Sequence, residues 1–329
     1  MSYIEDLNCE SVNVSHNHIN LQVFQLLEDL EAAGNVTSPR GLKTKQANLA
    51  TLDIDPLYSI MNFSPRKFNW KYFAGELAWY LKADTSIELI NNFSSFWKDI
   101  TPSGHANSNY GSLLFKDHPS TRISVDSIEG EGINQLEWAF NSLVNDENTR
   151  QAVMFFNAPC FQKSGNKDFV CTMYINFFIN QGYLEMKVQM RSNDIFFGLT
   201  YDAPWFASLH QSMYLNLLHF YPKLRLGMYY HCADNIHFYE RHFDLASNIL
   251  DNNLENSIRM RLKYPLFNFK RDEIGYYNVQ VSNEAKNYLT KIEEIVSSGE
   301  ILSDRNFWKH ILEDLYEISG ETQVVSELD

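Results

Sequence analysis

Residues 168–202 read DFVCTMYINFFINQGYLEMKVQMRSNDIFFGLTYD. The runs VCTMYINFFI (170–179) and LEMKVQM (184–190) are rich in β-branched and aromatic residues, which fit a pleated, half-buried surface. Gln181 and Gly182 lie between them and predict a tight hairpin. That hairpin sets Cys171 on one ladder and Arg191 at the end of its neighbour. Taken alone, a strand cysteine is an ordinary core residue, and a single arginine is an ordinary surface residue. Together, a cation beside a thiol lowers its pKa and favours thiolate. Arg191 and Ser192 also offer a forked cation and a hydroxyl, a pairing suited to a phosphate.

Outward from this hairpin, VMFFNA (153–158) predicts another strand. Phe206, Leu209, Met213, Leu217 and Phe220 form an apolar stripe that predicts a helix over 203–220. A strand is expected at 225–231 and a helix beginning near 237. Toward the N-terminus, NLQVFQLLEDLEAA (20–33) has helical spacing closed by Gly34 and Asn35. Residues 46–62 read as extended chain, 69–82 as a helix, 86–98 as a second short helix, 100–110 as a polar loop and 132–144 as a helix. Beyond 255 the pattern predicts one or two strands, then helices near 283–297 and 304–318, with the acidic tail GETQVVSELD fraying. The sum is an α+β fold, a large mixed or antiparallel sheet packed with helices. Residues 1–245 are read as a catalytic core with an N-terminal helix. Residues 246–329 are read as a C-terminal extension of the same domain.

Composition narrows the function. Lys+Arg number 27 against Asp+Glu 41, a formal net charge of -14, so the cationic excess that holds a nucleic-acid polymer or an anionic membrane is missing. An apolar fraction of 44% excludes a disordered chain. Cys9, Cys160, Cys171 and Cys232 form no C-x-x-C pair and no disulfide framework, so neither structural zinc nor any other metal is expected. MSYIEDLNCESV at the start has no apolar signal core, and no run is long enough to span a bilayer. A soluble cytoplasmic protein is the expectation.

The motifs, in order, resemble the thymidylate synthase family. FAGELAWYL (73–81) resembles its helix with a catalytic glutamate, which is Glu76 here, and SNYG (108–111) its active-site tyrosine loop. TRQAV (149–153) resembles its intersubunit arginine segment. Cys171 then precedes Arg191-Ser192-Asn193-Asp194, Gly198-Leu199 and His237-Phe238-Tyr239-Glu240-Arg241-His242. The resemblance runs from about Arg40 to His242. It implies a homodimer with shared active sites, a pyrimidine nucleoside monophosphate substrate and 5,10-methylenetetrahydrofolate as co-substrate. It assigns Cys171 as the nucleophile on C6 of the pyrimidine and Glu76 as the group ordering water and relaying protons. Arg40, Arg150, Arg191 and Ser192 would hold the phosphate, Arg150 from the partner subunit. His237 and Tyr239 would bond the sugar 3′-hydroxyl, His242 would be structural, and Trp97, Tyr110 and Asp194 would line the folate and base region.

Departures from the family pattern are informative. Where synthases that read uracil carry Asn, this chain has Asp202. Uracil presents an acceptor at O4 and a donor at N3, and cytosine reverses both. A carboxyl group accepts from the cytosine amine and shares a proton with N3, so Asp202 points to a cytosine nucleotide. Thr172 replaces the usual His, Met190 the usual Gln, Asp168-Phe169-Val170 the usual Leu-Pro-Pro, and Gln151 the second intersubunit Arg. The Gly-Tyr-x-Pro-His-Pro stretch and apolar tail of synthases are absent. Thr172, Met190, the Asp168-Phe169-Val170 run and the missing tail resemble the deoxycytidylate hydroxymethylase branch, known from bacteriophages, while Gln151 removes one intersubunit cation from the phosphate grip. The leading expectation is a dCMP 5-hydroxymethyltransferase that adds water where a synthase adds hydride. A dUMP hydroxymethylase or thymidylate synthase, a CMP hydroxymethylase and an inactive dimeric nucleotide-binding relative are the alternatives.

Overall fold

The computed structural model describes residues 18–119, 132–252, 254–255, 257–299 and 301–320. Cys9, the N-terminal stretch around it and the acidic tail beyond Gly320 lie outside the described residues. Helix α1 (Ile19–Ala33) buries Ile19, Val23, Leu27 and Leu30, a stripe at spacings of three and four. His18 caps its first turn by accepting from the Leu21 amide at 3.2 Å. Then come strands β1 (Asn35–Thr37) and β2 (Thr44–Ile54), helices α2 (Trp70–Lys82), α3 (Phe96–Ile100) and α4 (Tyr110–Phe115), and the two-residue strands β3 (His118–Pro119) and β4 (Gly132–Ile133). Helix α5 (Gln135–Asn145) precedes strands β5 (Val153–Phe155), β6 (Thr172–Asn180), β7 (Tyr183–Met190) and β8 (Asn193–Asp194). One π-helical turn, Ile195–Leu199, runs directly into helix α6 (Thr200–Leu217). Strand β9 (Arg225–Tyr239), helix α7 (Phe243–Leu250), strands β10 (Arg259–Leu262), β11 (Phe267–Arg271) and β12 (Tyr277–Val281), helices α8 (Asn283–Ser298) and α9 (Arg305–Leu312) and strand β13 (Tyr316–Ser319) complete the order.

The main sheet runs β1-β2-β9-β7-β6-β5, antiparallel except where β7 lies parallel to β9. Strand β8 also pairs β9, and in the same register as β7: Met190 faces Ala233 and Asn193 faces Ile236. The β7 ladder is therefore interrupted for two residues, Arg191 and Ser192, and then resumes. On the other side of β9, Leu49 drops out of the β2 pairing with a left-handed φ of 59°. At this level β9 itself switches its buried positions from Tyr229, His231 and Ala233 to Ile236 and Phe238. This line of irregularities crosses three strands and turns the ends of β7 and β9 into a site.

The segment after 246 shares the core. Tyr288 donates to the Ala74 carbonyl of α2 at 2.9 Å, Tyr316 to Ser208 of α6 at 3.0 Å, and the Leu262 amide to Gln211 at 2.8 Å. Three expected elements differ. The helix near 237 is instead the end of a strand reaching Tyr239, and α7 starts at Phe243. The helix expected over 86–98 breaks into a 3-10 turn at Ile90–Asn92 and the short α3. The last expected helix stops at Leu312, and Tyr316–Ser319 pairs with β10. Trp308, Ile311, Leu312, Leu315 and Tyr316 are all buried at helical spacing, so periodicity alone could not mark where α9 stops.

Candidate active site

Cys171 stands just before β6, facing the interruption in β7. The Arg191 amide donates to the Cys171 carbonyl at 2.9 Å, and its guanidinium donates to the Val170 carbonyl at 3.1 Å and the Phe169 carbonyl at 2.5 Å. The same guanidinium lies 3.3 Å from Cys171 Sγ and stacks on the Phe169 ring. Sequence reasoning expected this cation to lower the thiol pKa. It does act downward, but burial pushes the thiol up more strongly, and the Asp202 and Asp168 carboxylates add to the rise. The free protein therefore rests as the thiol. Alkylation of Cys171 by iodoacetamide should climb about tenfold per pH unit with no plateau below about pH 9. A plateau near neutrality, followed by mass spectrometry, would contradict this.

Asp202 sits in the first turn of α6. Its Oδ2 accepts from Asn193 Nδ2 at 2.7 Å, and burial raises its carboxyl to about 7 against the opposing pull of that hydrogen bond. Glu76 of α2 is buried and accepts from the Tyr72 hydroxyl at 2.8 Å. Burial is the main cause that raises it to about 8. The Tyr72 and Tyr80 hydroxyls lower it, and the Asp202 charge raises it further. Two carboxyls close enough to feel each other's charge thus keep protons near neutrality.

Such a raised carboxyl costs stability. Folded Glu76 keeps a proton up to about pH 8 that the unfolded chain releases near its ordinary value, so stability falls with rising pH across that window. Glu76→Gln should raise the melting temperature at about pH 9, with an upper limit on the order of 5 kcal/mol, and give no gain near about pH 4. Thermal unfolding at both pH values checks this, and an equal gain at both would overturn it.

The SNYG segment explains itself residue by residue. Ser108 donates to buried Asp168, which also accepts the Asn107 and Ser108 amides and so ties this loop beside Cys171. Asn109 caps α4 by accepting from the Ser112 amide at 2.7 Å and donates to the Trp79 carbonyl at 3.1 Å. Tyr110 accepts from Thr172 at 2.8 Å and is enclosed by the Tyr80, Phe156 and Phe206 rings. A Cβ at Gly111 would stand 1.6 Å from the Tyr80 carbonyl oxygen, so α4 packs on α2 only through glycine. Trp97 is buried against Trp79, ring centroids 4.7 Å apart.

The remaining expected residues divide. His237 is paired with Asp194 in the β8–β9 ladder and bonds Asn235 Oδ1 through Nδ1 at 3.0 Å. Burial, with the Arg191 and Arg40 charges, lowers it to about 4, so it is neutral with Nε2 as an acceptor. Tyr239 is half-buried and feels Asp194, Arg40, Arg241 and Cys171. Arg40 is exposed, with a left-handed φ of 53°, and its charge reaches Cys171, His237 and Tyr239. Ser192 is half-buried in the β7 interruption. Arg150 stands apart, exposed on the loop between α5 and β5. Asp194 caps the π-turn through the Phe196 and Phe197 amides, while its Oδ2 is buried with no partner and burial raises it to about 6. His242 is buried against Phe196 and Phe197. Asn193, His231, Tyr72 and Tyr80 were not singled out in the sequence. Among the described residues no cluster of three or more His, Cys, Asp or Glu is arranged to hold a metal, and no helix is long and apolar enough to cross a membrane.

The family model for thymidylate synthase matches residues 24–291. The chain belongs to the thymidylate synthase family. The match extends past both ends of the motif series, from α1 into α8. Folate-dependent one-carbon transfer with methylenetetrahydrofolate as co-substrate characterises this family. The chain is 25% identical over 186 residues to the deoxycytidylate 5-hydroxymethyltransferase of Enterobacteria phage T6, covering 54% of this chain and 70% of that protein. It is 24% identical over 221 residues to the deoxyuridylate hydroxymethyltransferase of Bacillus phage SP01, covering 66% and 56%. It is also 24% identical over 199 residues to the thymidylate synthase of Mycoplasma genitalium, covering 54% and 67%.

Proposed function

We propose that this thymidylate synthase family member is a dCMP 5-hydroxymethyltransferase. The observation that carries the reading is Asp202: a half-buried carboxyl, fixed by Asn193, that keeps a proton near neutrality. A group of that kind accepts from the cytosine N4 amine and shares its proton with N3. The likeness to the T6 protein supports the same choice, while the likeness to the SP01 protein favours dUMP as a second reading.

In this reading Arg191, Ser192 and Arg40 hold the nucleotide phosphate, and His237 Nε2 with Tyr239 receives the sugar hydroxyl. Cys171, deprotonated as it attacks, bonds to C6 and makes C5 nucleophilic. The unpartnered Asp194 Oδ2 fits the N–H donors on a pterin edge, and Trp97 and Tyr110 are assigned to the folate and base region by the family resemblance alone. When bound, methylenetetrahydrofolate would supply the one-carbon unit that C5 receives, with tetrahydrofolate departing as the leaving group and the C5 proton lost to a base. Glu76, able to gain or lose a proton near neutrality, moves protons and orders the water that completes the hydroxymethyl group. Cys171 is then expelled as the C5–C6 double bond returns. Arg150 belongs to the phosphate site of a second copy. The homodimer is supported by the sheet face bearing Tyr174, Phe178, Lys187 and Tyr230, half-buried in the single chain opposite the core residues Ile175, Phe177 and Val188.

Incubation with dCMP, dUMP and CMP, each with methylenetetrahydrofolate, tests the reading. Hydroxymethylated dCMP without formation of dihydrofolate is expected. Product from dUMP alone would overturn the cytosine assignment, and dihydrofolate would indicate hydride transfer.

A further inference from the structure

Behind Asp202 a line of buried polar groups runs into the sheet. Asn193 Nδ2 donates to Asp202 Oδ2 at 2.7 Å, Asn193 Oδ1 faces His231 Nε2 at 3.2 Å, and His231 Nδ1 faces the Tyr229 hydroxyl at 2.6 Å. Asn193 is 3% exposed, His231 1% and Tyr229 0%. No family motif includes His231, and nothing in the catalytic reading above uses it. A Cβ at Gly198 would stand 2.7 Å from Asn193 Nδ2 and 3.3 Å from Asp202 Oδ2, so the π-turn leaves room for this pair through a glycine.

The direction of the line follows from counting protons. Burial lowers His231 to about 3, so its imidazole is neutral and carries one N–H. Asn193 presents its amide nitrogen to Asp202, so its oxygen faces His231 and the imidazole proton lies on Nε2. His231 Nδ1 then accepts from Tyr229. Reversed, the line would leave the Tyr229 proton without an acceptor, since among the described residues that hydroxyl has no second partner.

We infer that Asn193 and His231 are positioning residues that hold Asp202 Oδ2 as an acceptor, so that the acid proton resides on Oδ1 and the carboxyl meets the pyrimidine in one fixed donor–acceptor order. This inference rests on Asp202 reading the base. A protonated carboxyl without such a lock is ambidextrous: moving its proton from one oxygen to the other lets it match cytosine or uracil. With Oδ2 toward the exocyclic position and Oδ1 toward N3, the locked acid matches cytosine. Uracil then sets O4 against an acceptor and N3–H against a proton.

The test compares kcat/KM for dCMP and dUMP across variants. Asn193→Ala and His231→Leu should each lower the dCMP:dUMP preference about 10- to 100-fold, mainly through better use of dUMP. His231→Gln, whose side-chain N–H can replace Nε2–H, should restore most of it. If Asn193→Ala does not fold, the His231 pair decides on the same ratio. Preference within about twofold of wild type in both Asn193→Ala and His231→Leu, with Asp202→Asn still shifting toward dUMP, would overturn the lock and leave the base reading standing. A wild type that prefers dUMP, or an Asp202→Asn with unchanged preference, would instead overturn the base reading.

Discussion

Replacing Cys171 with alanine is expected to reduce tritium release from C5-labelled dCMP by at least about 10⁴-fold, while dCMP affinity stays within about threefold. C5 exchanges its proton only after a nucleophile has added to C6, so the assay reads the thiol directly and does not require the later steps. Binding should survive because the phosphate cation is not held by the sulfur. Arg191 is anchored by the Val170 and Phe169 carbonyls and stacked on Phe169, and its amide holds the Cys171 carbonyl. All of these contacts persist with alanine. The Thr172–Tyr110 bond beside it likewise involves no sulfur of Cys171. Undiminished exchange would remove Cys171 from its role. Loss of exchange together with loss of binding and a lowered melting temperature would assign it to the core instead.

The hairpin around Gln181-Gly182 was legible because its signal is local: two β-rich runs and a turn, with both turn residues adopting positive φ. The α2 helix and its buried Glu76 were legible for a similar reason, since a charge flanked by apolar residues on every side has little access to water. The far end of β9 was not. Its inside–outside alternation reverses at Asp234, opposite the unpaired, left-handed Leu49 and beside the Arg191-Ser192 interruption, so the period-two pattern disappears where the strand enters the candidate site. His237 and Tyr239 were found through resemblance, while their placement on a strand became visible only from the pairing with β2 and β8. His231 was invisible for another reason. One buried histidine in a strand carries no sequence signal, and its meaning depends on Asn193, 38 residues away. The net pKa of Cys171 also escaped the sequence, because Arg191 could be counted there but burial could not.

Asp202→Asn should move the dCMP:dUMP preference toward dUMP by roughly 10²- to 10³-fold. A carboxamide presents a donor and an acceptor that cannot exchange places by moving a proton, and uracil needs an N–H toward O4 and an oxygen toward N3–H. That sets the amide nitrogen where Asp202 Oδ2 now accepts from Asn193, so Asn193 must turn over and present its oxygen. His231 allows this. Its neutral ring shifts the proton from Nε2 to Nδ1, accepts from the turned Asn193 and donates to Tyr229. The Tyr229 hydroxyl proton is then left without an acceptor in the core, at a cost of about 1–3 kcal/mol, one to two orders of magnitude in equilibrium. A site reading a base through hydrogen bonds separates the two by about 10⁴, so the reversal keeps most of the swing but not all of it. The same cost gives an internal check. Asp202→Asn combined with Tyr229→Phe should favour dUMP about tenfold more than Asp202→Asn alone, because without the Tyr229 hydroxyl His231 Nδ1 lacks a partner in either direction and the present order of the line is no longer favoured over the reversed one. A double variant no different from the single would mean that the line does not reverse, and that the introduced carboxamide meets the base with Asn193 still in its present orientation.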